Sequence, residues 1–226
     1  LFNHSKTIYQ SEKKAFDLTI DDLFIDLFQK QIPFKLTSSQ KKCIEEIYND
    51  IKKTSPMKRL LQGDVGSGKT IVAAAAVTAT IKNNKQAALM APTEVLAEQH
   101  LTSFKKYLEY FDVDIHLLTS SVKDREDIYE IIDRGDPVLI IGTHALIQDK
   151  VNFNNLGLAI IDEQQRFGVE QRKKLVDNDD FTPHQLVMTA TPIPRTTALA
   201  IYGDLELSVI DELPPGRKKI KSRVLS

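Results

Sequence analysis

The chain has little cysteine, no excess of either charge and no long apolar run, and each shortage excludes a class of protein. Its single cysteine, Cys43, excludes an intramolecular disulfide framework and a cysteine-based metal cage, and it fits a reducing compartment. Thirty Lys and Arg against 31 Asp and Glu give a net charge of −1, so there is no bulk basic excess for nucleic acid, although a local basic face stays possible. The longest apolar stretch, residues 71–81, is too short to span a bilayer, and no signal peptide is evident. We therefore expect a cytoplasmic protein without a membrane partner.

What is present is an ordinary globular composition. Hydrophobic residues make up 42% and charged residues 27% of the 226, which is enough for a buried core in one domain, or one domain with an appendage. The chain starts at Leu1 rather than Met and ends in a basic run, so we expect it to be a piece of a larger protein.

From Lys58 onward, short apolar runs alternate with segments of helical periodicity. Several of the short runs are continuously apolar, as strands buried on both faces of a parallel sheet are. This alternation predicts an α/β fold with a mostly parallel sheet and helices on both faces. The predicted strands are 59–62, 87–91, 114–118, 138–141, 158–161, 185–188 and 207–210. The predicted helices between them start near Gly68, Glu94, Lys123, Val169 and Arg195.

Two helices are predicted before this region. Apolar residues at helical spacing in 23–28 indicate a short helix that Pro33 ends, packing on the main domain or on a neighbouring one. Thr37 and Gln40 have the spacing of a capping box, which places the start of a second helix there. Cys43 lies beside the apolar face of that helix, and we expect it to be buried rather than reactive.

Residues 63–70, here called the phosphate loop, read G-x-x-x-x-G-K-T between a predicted strand and a predicted helix. The glycines allow backbone N–H groups to turn inward around phosphates, and the helix N-terminus adds partial positive charge. Lys69 is predicted to reach the β- and γ-phosphates of ATP, and the Thr70 hydroxyl to bind Mg²⁺. A glycine-rich turn without a ligand is the alternative. The predicted nucleotide contacts in this loop are Gly63, Gly66, Ser67, Gly68, Lys69 and Thr70.

Two further strand ends carry polar residues. Asp162 and Glu163, here called the acidic pair, follow a continuously apolar strand. We expect Asp162 to hold Mg²⁺ through water and Glu163 to orient or deprotonate an attacking water, against the alternative of two acidic residues at a loop start. Residues 189–191, here called the Thr-Ala-Thr turn, follow another strand; their hydroxyls either bond the acidic pair or only cap a turn.

Together these motifs resemble the superfamily 2 helicases, and the longer strings resemble the RecG family of branch-migrating DNA helicases. The resemblance runs over residues 34–217 and implies a RecA-like P-loop NTPase domain. The strings that carry it are residues 60–70, 92–100, 162–169, 188–196 and 209–217.

The resemblance also implies roles for individual residues. Phe34 and Gln40 correspond to an adenine-recognition motif, so Gln40 has two compatible interpretations, as capping residue and as adenine reader. The implied DNA contacts are Thr93, Glu94, Gly142, Thr143, His144 and Arg195, and the implied coupling residues are Gln165, Thr189 and Thr191. Gln165 departs from the family, which usually has His there; its amide can still donate and accept, but it cannot become charged.

The domain organisation follows from the same resemblance. We expect a lead-in helix or linker over 1–33, the first RecA-like domain over 34–212 and a basic linker over 213–226. A second RecA-like domain, which supplies the arginine finger, and a wedge domain are expected elsewhere in a longer protein. The implied activity is an ATP-dependent DNA helicase acting on branched or duplex DNA at replication forks and Holliday junctions, with no dependence on base sequence.

Two alternatives stay open. One is another superfamily 2 translocase of double-stranded DNA, and the other is a module that binds nucleotide or DNA without turnover. Because the arginine finger is expected on the second domain, we expect the isolated chain to hydrolyse ATP barely above background.

Overall fold

A computed structural model describes residues 14–21, 23–163, 166–176, 181–191 and 205–212. The helices, in chain order, are α1 (Phe24–Gln31), α2 (Ser38–Ile51), α3 (Lys69–Lys82), α4 (Glu94–Tyr107), α5 (Glu126–Arg134) and α6 (Val169–Val176), with a 3-10 turn at His144–Ile147. The strands are β1 (Lys58–Gly63), β2 (Gln86–Met90), β3 (Ile115–Leu118), β4 (Leu139–Gly142), β5 (Leu156–Asp162), β6 (His184–Thr189) and β7 (Glu206–Ile210). Each predicted strand is found, with ends that shift by no more than two residues.

The strands form one seven-stranded sheet in the order β3-β4-β2-β5-β6-β1-β7. All neighbouring strands in it pair in parallel, which confirms the predicted α/β fold class. Parallel strands bring their carboxyl ends to one edge of the sheet, and ligands of such sheets bind at that edge. The phosphate loop, the acidic pair and the Thr-Ala-Thr turn follow β1, β5 and β6, which are adjacent in the sheet.

Both faces of the sheet are covered by helices. On one face, α1, α2, α3 and α4 pack in a single apolar core, and residues 71–81 of α3 are buried on every side. On the other face, α5, α6 and the 3-10 turn cover a second core that includes Leu118, Ile132 and Leu146. None of the helices in the described ranges has the length and hydrophobicity needed to cross a membrane.

The two N-terminal helices follow the sequence signals. Ile32, the residue before Pro33, is extended at ψ 146° and ends α1, as steric conflict with the proline ring requires. The capping box at Thr37 is formed in both directions, and Cys43 is buried. Leu18 and Phe28 are fully buried, so the segment before residue 34 packs into the same core as the sheet.

One predicted helix start was wrong. The helix expected near Lys123 begins at Glu126, because residues before it form a turn in which the Val122 N–H donates to the Thr119 carbonyl at 3.3 Å. The Arg125 guanidinium donates to the Val122 carbonyl at 2.7 Å and also to the Ser120 carbonyl, which closes this turn. The helix expected near Arg195 lies outside the described residues.

Candidate nucleotide-binding site

The phosphate loop joins β1 to α3 and needs glycine at two positions. Gly66 and Gly68 have φ values of 78° and 92°, in the left-handed region that side chains disfavour. A Cβ at Gly68 would also collide with the amide nitrogen of Gln40. The Ser67 N–H donates to the Asp64 carbonyl at 3.0 Å, which closes the loop just before the N-terminal donors of α3.

The Lys69 ammonium folds back over the phosphate loop. It donates to the carbonyls of Gly63 at 2.7 Å and Asp64 at 3.1 Å. Burial lowers the pKa of Lys69, and the opposing attraction of Asp162 and Glu163 places both carboxylates within electrostatic range of the ammonium. The structure thus brings together Lys69 and the acidic pair, from two different strand ends. Thr70 is the next residue of α3 and is half-buried.

The acidic pair sits at a sharp turn at the end of β5. Asp162 is buried, and Glu163 has a φ of 50°, which is uncommon for a residue with a side chain. The Glu163 N–H donates to the Met188 carbonyl at 3.0 Å, so the turn is tied to the neighbouring strand β6. The Glu163 Oε1 accepts from the backbone N–H of Ala190 at 3.1 Å. The orientation of this carboxylate is therefore set by the end of β6.

The two threonine hydroxyls of the Thr-Ala-Thr turn bond to each other, with Oγ1 atoms of Thr189 and Thr191 at 2.9 Å. The Thr191 N–H also donates to the Thr189 Oγ1 at 3.2 Å. The turn is thus capped by its own hydroxyls, while the contact with the acidic pair comes from Ala190. Sequence reasoning missed Ala190, because a backbone N–H leaves no signal in residue type.

Gln40 connects α2 to the phosphate loop. Its Oε1 accepts from the Thr37 N–H at 3.0 Å, and its Nε2 donates to the Ser67 carbonyl at 2.8 Å. The capping role is present, and the same amide fixes the loop that precedes Lys69. Phe34 is 38% exposed, and its ring meets Tyr107 edge-on with centroids 5.8 Å apart. Adenine recognition by these two residues stays a prediction.

A second residue missed by sequence reasoning is His100 of α4. Its Nε2 lies 2.7 Å from Oδ2 of Asp162, and the two side chains are only 11% and 12% exposed. His100 follows Thr93 by about two helical turns, so the helix places it on the side facing the strand ends. Helical periodicity could have placed His100 on that side of α4, but its contact with Asp162 also depends on the position of β2 beside β5, which the sequence did not reveal.

The residues implied as DNA contacts differ in accessibility. Thr93 is exposed and caps α4 by accepting from the Leu96 N–H at 3.3 Å, and His144 is exposed beside Phe167. Gly142 and Thr143 are buried, and a Cβ at Gly142 would collide with the Leu118 carbonyl.

Glu94 is already engaged by the protein. Its carboxylate accepts from the Ser121 N–H at 3.2 Å and from the Ser121 hydroxyl. The hydroxyl bond is the main reason that the pKa of Glu94 is lowered. The remaining implied residues, Gln165 and Arg195, lie outside the described part of the chain.

The residues present fit a magnesium nucleotide. Ser67 Oγ is buried and has no hydrogen-bond partner among the described residues, and it lies inside the loop that would surround phosphates. No cluster of three or more His, Cys, Asp or Glu suited to a metal occurs in the described ranges. The available oxygens of Thr70 and Asp162 match Mg²⁺, which keeps several waters and binds substrate phosphates with few protein ligands.

Comparisons with known proteins agree with this geometry. The ATP-dependent DNA helicase RecG of Aquifex aeolicus is 50% identical over 216 residues, and RecG of Bacillus subtilis is 53% identical over 197 residues. These matches cover 94% and 86% of this chain but only 27% and 29% of the relatives, so the chain spans less than a third of their length.

A solved structure of RecG bound to a three-way DNA junction superposes with a TM-score of 0.83 at 42% identity, covering 96% of this chain and 29% of that one. The predicted resemblance to RecG is confirmed. The model of the DEAD/DEAH box helicase family matches residues 37–200, which include the phosphate loop, the acidic pair and the Thr-Ala-Thr turn, and the chain therefore belongs to that family.

Proposed function

We propose that this chain is the ATP-binding motor domain of a RecG-like, ATP-dependent DNA helicase or translocase that acts on branched DNA in recombination and repair. The observation that carries the proposal is that Lys69, which follows β1, lies within electrostatic range of Asp162 and Glu163 at the end of β5, the next strand but one in the sheet. Similarity to proteins named ATP-dependent DNA helicase RecG supports the choice of DNA as the partner.

Phosphate binding is assigned to the loop and to Lys69. The ammonium that now bonds the carbonyls of Gly63 and Asp64 is the group that a β- or γ-phosphate oxygen would attract. Thr70 and Asp162 would hold Mg²⁺, which supplies charge neutralisation on the phosphates. Because an anion beside a buried ammonium favours its charged form, bound nucleotide would offset the desolvation of Lys69.

Water activation is assigned to Glu163. Its carboxylate is held by the Ala190 N–H, and its left-handed backbone costs roughly 1–3 kcal/mol, a strain that is typical of functional positions. This arrangement supports the role of Glu163 as the residue that orients the attacking water.

DNA contact is assigned to the ends of β2 and β4, through Thr93 and His144. Both side chains are exposed beside a helix or turn start that presents backbone N–H groups, which suits a phosphate backbone rather than base edges. Glu94, Gly142 and Thr143 would shape this surface rather than bond phosphate directly. Coupling through Gln165, Thr189 and Thr191, contact through Arg195, a second RecA-like domain, a wedge domain and a cytoplasmic location stay predictions.

The proposal is tested by Lys69→Ala. The substitution should weaken binding of Mg²⁺ and ATP by about 1.5–3 kcal/mol, the size of a hydrogen bond to a charged group. The chain has no tryptophan, so calorimetry or a labelled nucleotide is the measurement.

Lys82→Ala is the matched control. It removes the same charge from the last residue of α3, about 20 Å away along the helix. Its nucleotide affinity should equal that of the unsubstituted chain. Equal affinities for Lys69→Ala and Lys82→Ala would overturn the proposed function.

A further inference from the structure

The contact between His100 and Asp162 crosses from one element of the sheet to the next. His100 belongs to α4, which follows β2, and Asp162 ends β5, the strand next to β2. The two atoms, Nε2 and Oδ2, are 2.7 Å apart, and both side chains are nearly buried. A carboxylate only accepts hydrogen bonds, so the His100 Nε2 carries the proton and donates.

A buried carboxylate needs a donor, and here the donor also fixes its orientation. The bond from His100 restrains Oδ2 of Asp162 and leaves the other oxygen for a different partner. We propose that His100 is a positioning residue that holds Asp162 in the orientation in which it serves the nucleotide-bound Mg²⁺. This inference rests on the proposed function, and it assigns a role to His100, to which the resemblance gave none.

The same contact connects α4 to the proposed Mg²⁺ site. The helix begins at Thr93, at the strand end assigned to DNA, and reaches His100 after about two turns. Between and beyond these two residues, buried Ala97 and Phe104 pack α4 against the apolar core. A shift of α4 that includes both residues would therefore move the His100 donor relative to Asp162.

The chain offers a matched pair for comparison. His116 Nε2 lies 2.8 Å from Asp114 Oδ2, but these side chains are 30% and 61% exposed. They lie at the N-terminal end of β3, whereas the nucleotide residues follow the carboxyl ends of their strands. This pair has the chemistry of His100 and Asp162 without burial and without proximity to the phosphate loop. His116→Asn is therefore the control for any general effect of removing a histidine beside an aspartate.

The experiment compares His100→Gln and His100→Asn. The Gln amide nitrogen reaches the place of Nε2, whereas the Asn amide is one bond shorter. Affinity for a non-hydrolysable ATP analogue is measured by calorimetry with Mg²⁺ and with EDTA, and binding of Mn²⁺ to the nucleotide complex is measured by electron paramagnetic resonance.

We expect His100→Asn to weaken the metal-dependent part of nucleotide binding, and Mn²⁺ binding, by roughly 10–100-fold, as is usual when an outer partner of a metal ligand is removed. We expect His100→Gln to stay within about threefold of the unsubstituted chain, since it restores the donor. Affinity in EDTA should be the same for all variants, because Lys69 and the phosphate loop are untouched.

Three results would overturn the inference. His100→Asn could keep full metal-dependent affinity, it could lose affinity equally in EDTA, or His116→Asn could lose as much. An unsubstituted chain that binds the nucleotide no better with Mg²⁺ than with EDTA would overturn the metal assignment of the proposed function as well. Failure of the inference alone leaves the Lys69→Ala result intact, so the two failures are distinguishable.

Discussion

His184, at the start of β6, is a buried histidine whose two ring nitrogens have defined partners. Its Nδ1 accepts from the Met57 N–H at 3.0 Å, and its Nε2 lies 2.8 Å from the Phe16 carbonyl. A backbone N–H must meet an acceptor and a carbonyl must meet a donor, so the ring is neutral with its proton on Nε2. Burial lowers the pKa of His184, against smaller opposing effects of the Phe16 carbonyl, Asp50 and Asp17.

This histidine should make stability depend on pH. Its folded pKa lies below the ordinary value of 6.5, so between the two values the unfolded chain binds more protons than the folded chain. The free energy of unfolding should fall as pH decreases below about 6.5, by up to about 1.4 kcal/mol per pH unit, until the folded pKa is reached.

The test is urea unfolding of the chain and of His184→Asn at pH 7.5, 6.5 and 5.5. At pH 7.5 the variant should be less stable by about 1–3 kcal/mol, because the donor to Phe16 is lost. The difference should shrink toward pH 5.5, since Asn does not titrate. A difference that stays constant over this range would contradict the prediction.

At the scale of residues, the sequence predicted which residues form the site but not which groups their side chains contact. Lys69, Asp162 and Glu163 were found because their types follow strand ends in a local pattern. The bonds from Ala190 to Glu163 and from His100 to Asp162 join different elements, so they depend on the register of β6 and the rotation of α4. Neither is encoded in a short stretch of sequence.

At the scale of elements, a buried ionic network joins α2 to the strands β1 and β7. Arg59 of β1 donates to Asp50 Oδ2 from Nε at 2.8 Å and from Nη2 at 2.6 Å, and its Nη1 donates to Ser208 Oγ at 2.8 Å. Glu46 accepts from Ser208 and lies 3.4 Å from Arg59. Because α2 also carries Gln40, this network holds the helix that contacts the phosphate loop.

Arg59→Met should destabilise the chain by about 1–3 kcal/mol, because Asp50 Oδ2 and Ser208 lose their buried donor and only Lys53, at 2.8 Å, still pairs with the Asp50 carboxylate. Arg134→Met is the matched control. Arg134 pairs with Asp136 at 2.7 Å, but those side chains are 58% and 45% exposed, so its loss should cost no more than about 1 kcal/mol. Thermal or urea unfolding measures both, and similar costs for the two variants would contradict the expectation.

The strands were predictable because a parallel sheet covered on both faces demands continuous apolar runs, as in 139–141 and 158–161. The start of α5 was not predictable in the same way. The sequence around Lys123 suits a helix, but the turn that Arg125 closes uses carbonyls at Ser120 and Val122 and delays the helix to Glu126. That competition is decided by side-chain geometry rather than by periodicity.

At the scale of the whole molecule, the strand order separates two halves of one sheet edge. The strands β5, β6 and β1 are adjacent and end at the nucleotide residues, while β4 and β2 are adjacent and end at Thr93 and the turn of His144. The boundary runs between β2 and β5, which is where His100 reaches Asp162. The order of strands is a property of the fold that the sequence did not reveal.

This division predicts that DNA affinity and nucleotide affinity can be lost separately. His144→Ala removes an exposed side chain from the DNA half and should weaken duplex binding about two- to tenfold, as for one hydrogen bond of about 0.5–1.5 kcal/mol. Its affinity for Mg²⁺ and ATP should not change, and Lys69→Ala should show the reverse pattern.

Fluorescence anisotropy with two duplexes of unrelated sequence, at several salt concentrations, measures the DNA half. Affinity should fall with salt equally for both duplexes, because phosphate contacts carry no sequence information. The slope of DNA affinity against salt concentration should be the same for Lys69→Ala as for the unsubstituted chain. Lys69 bonds the phosphate loop and not the DNA, so its removal does not change the number of counterions that DNA binding releases. Binding that discriminates between the duplexes, or that Lys69→Ala weakens as much as His144→Ala does, would contradict this assignment of the two halves.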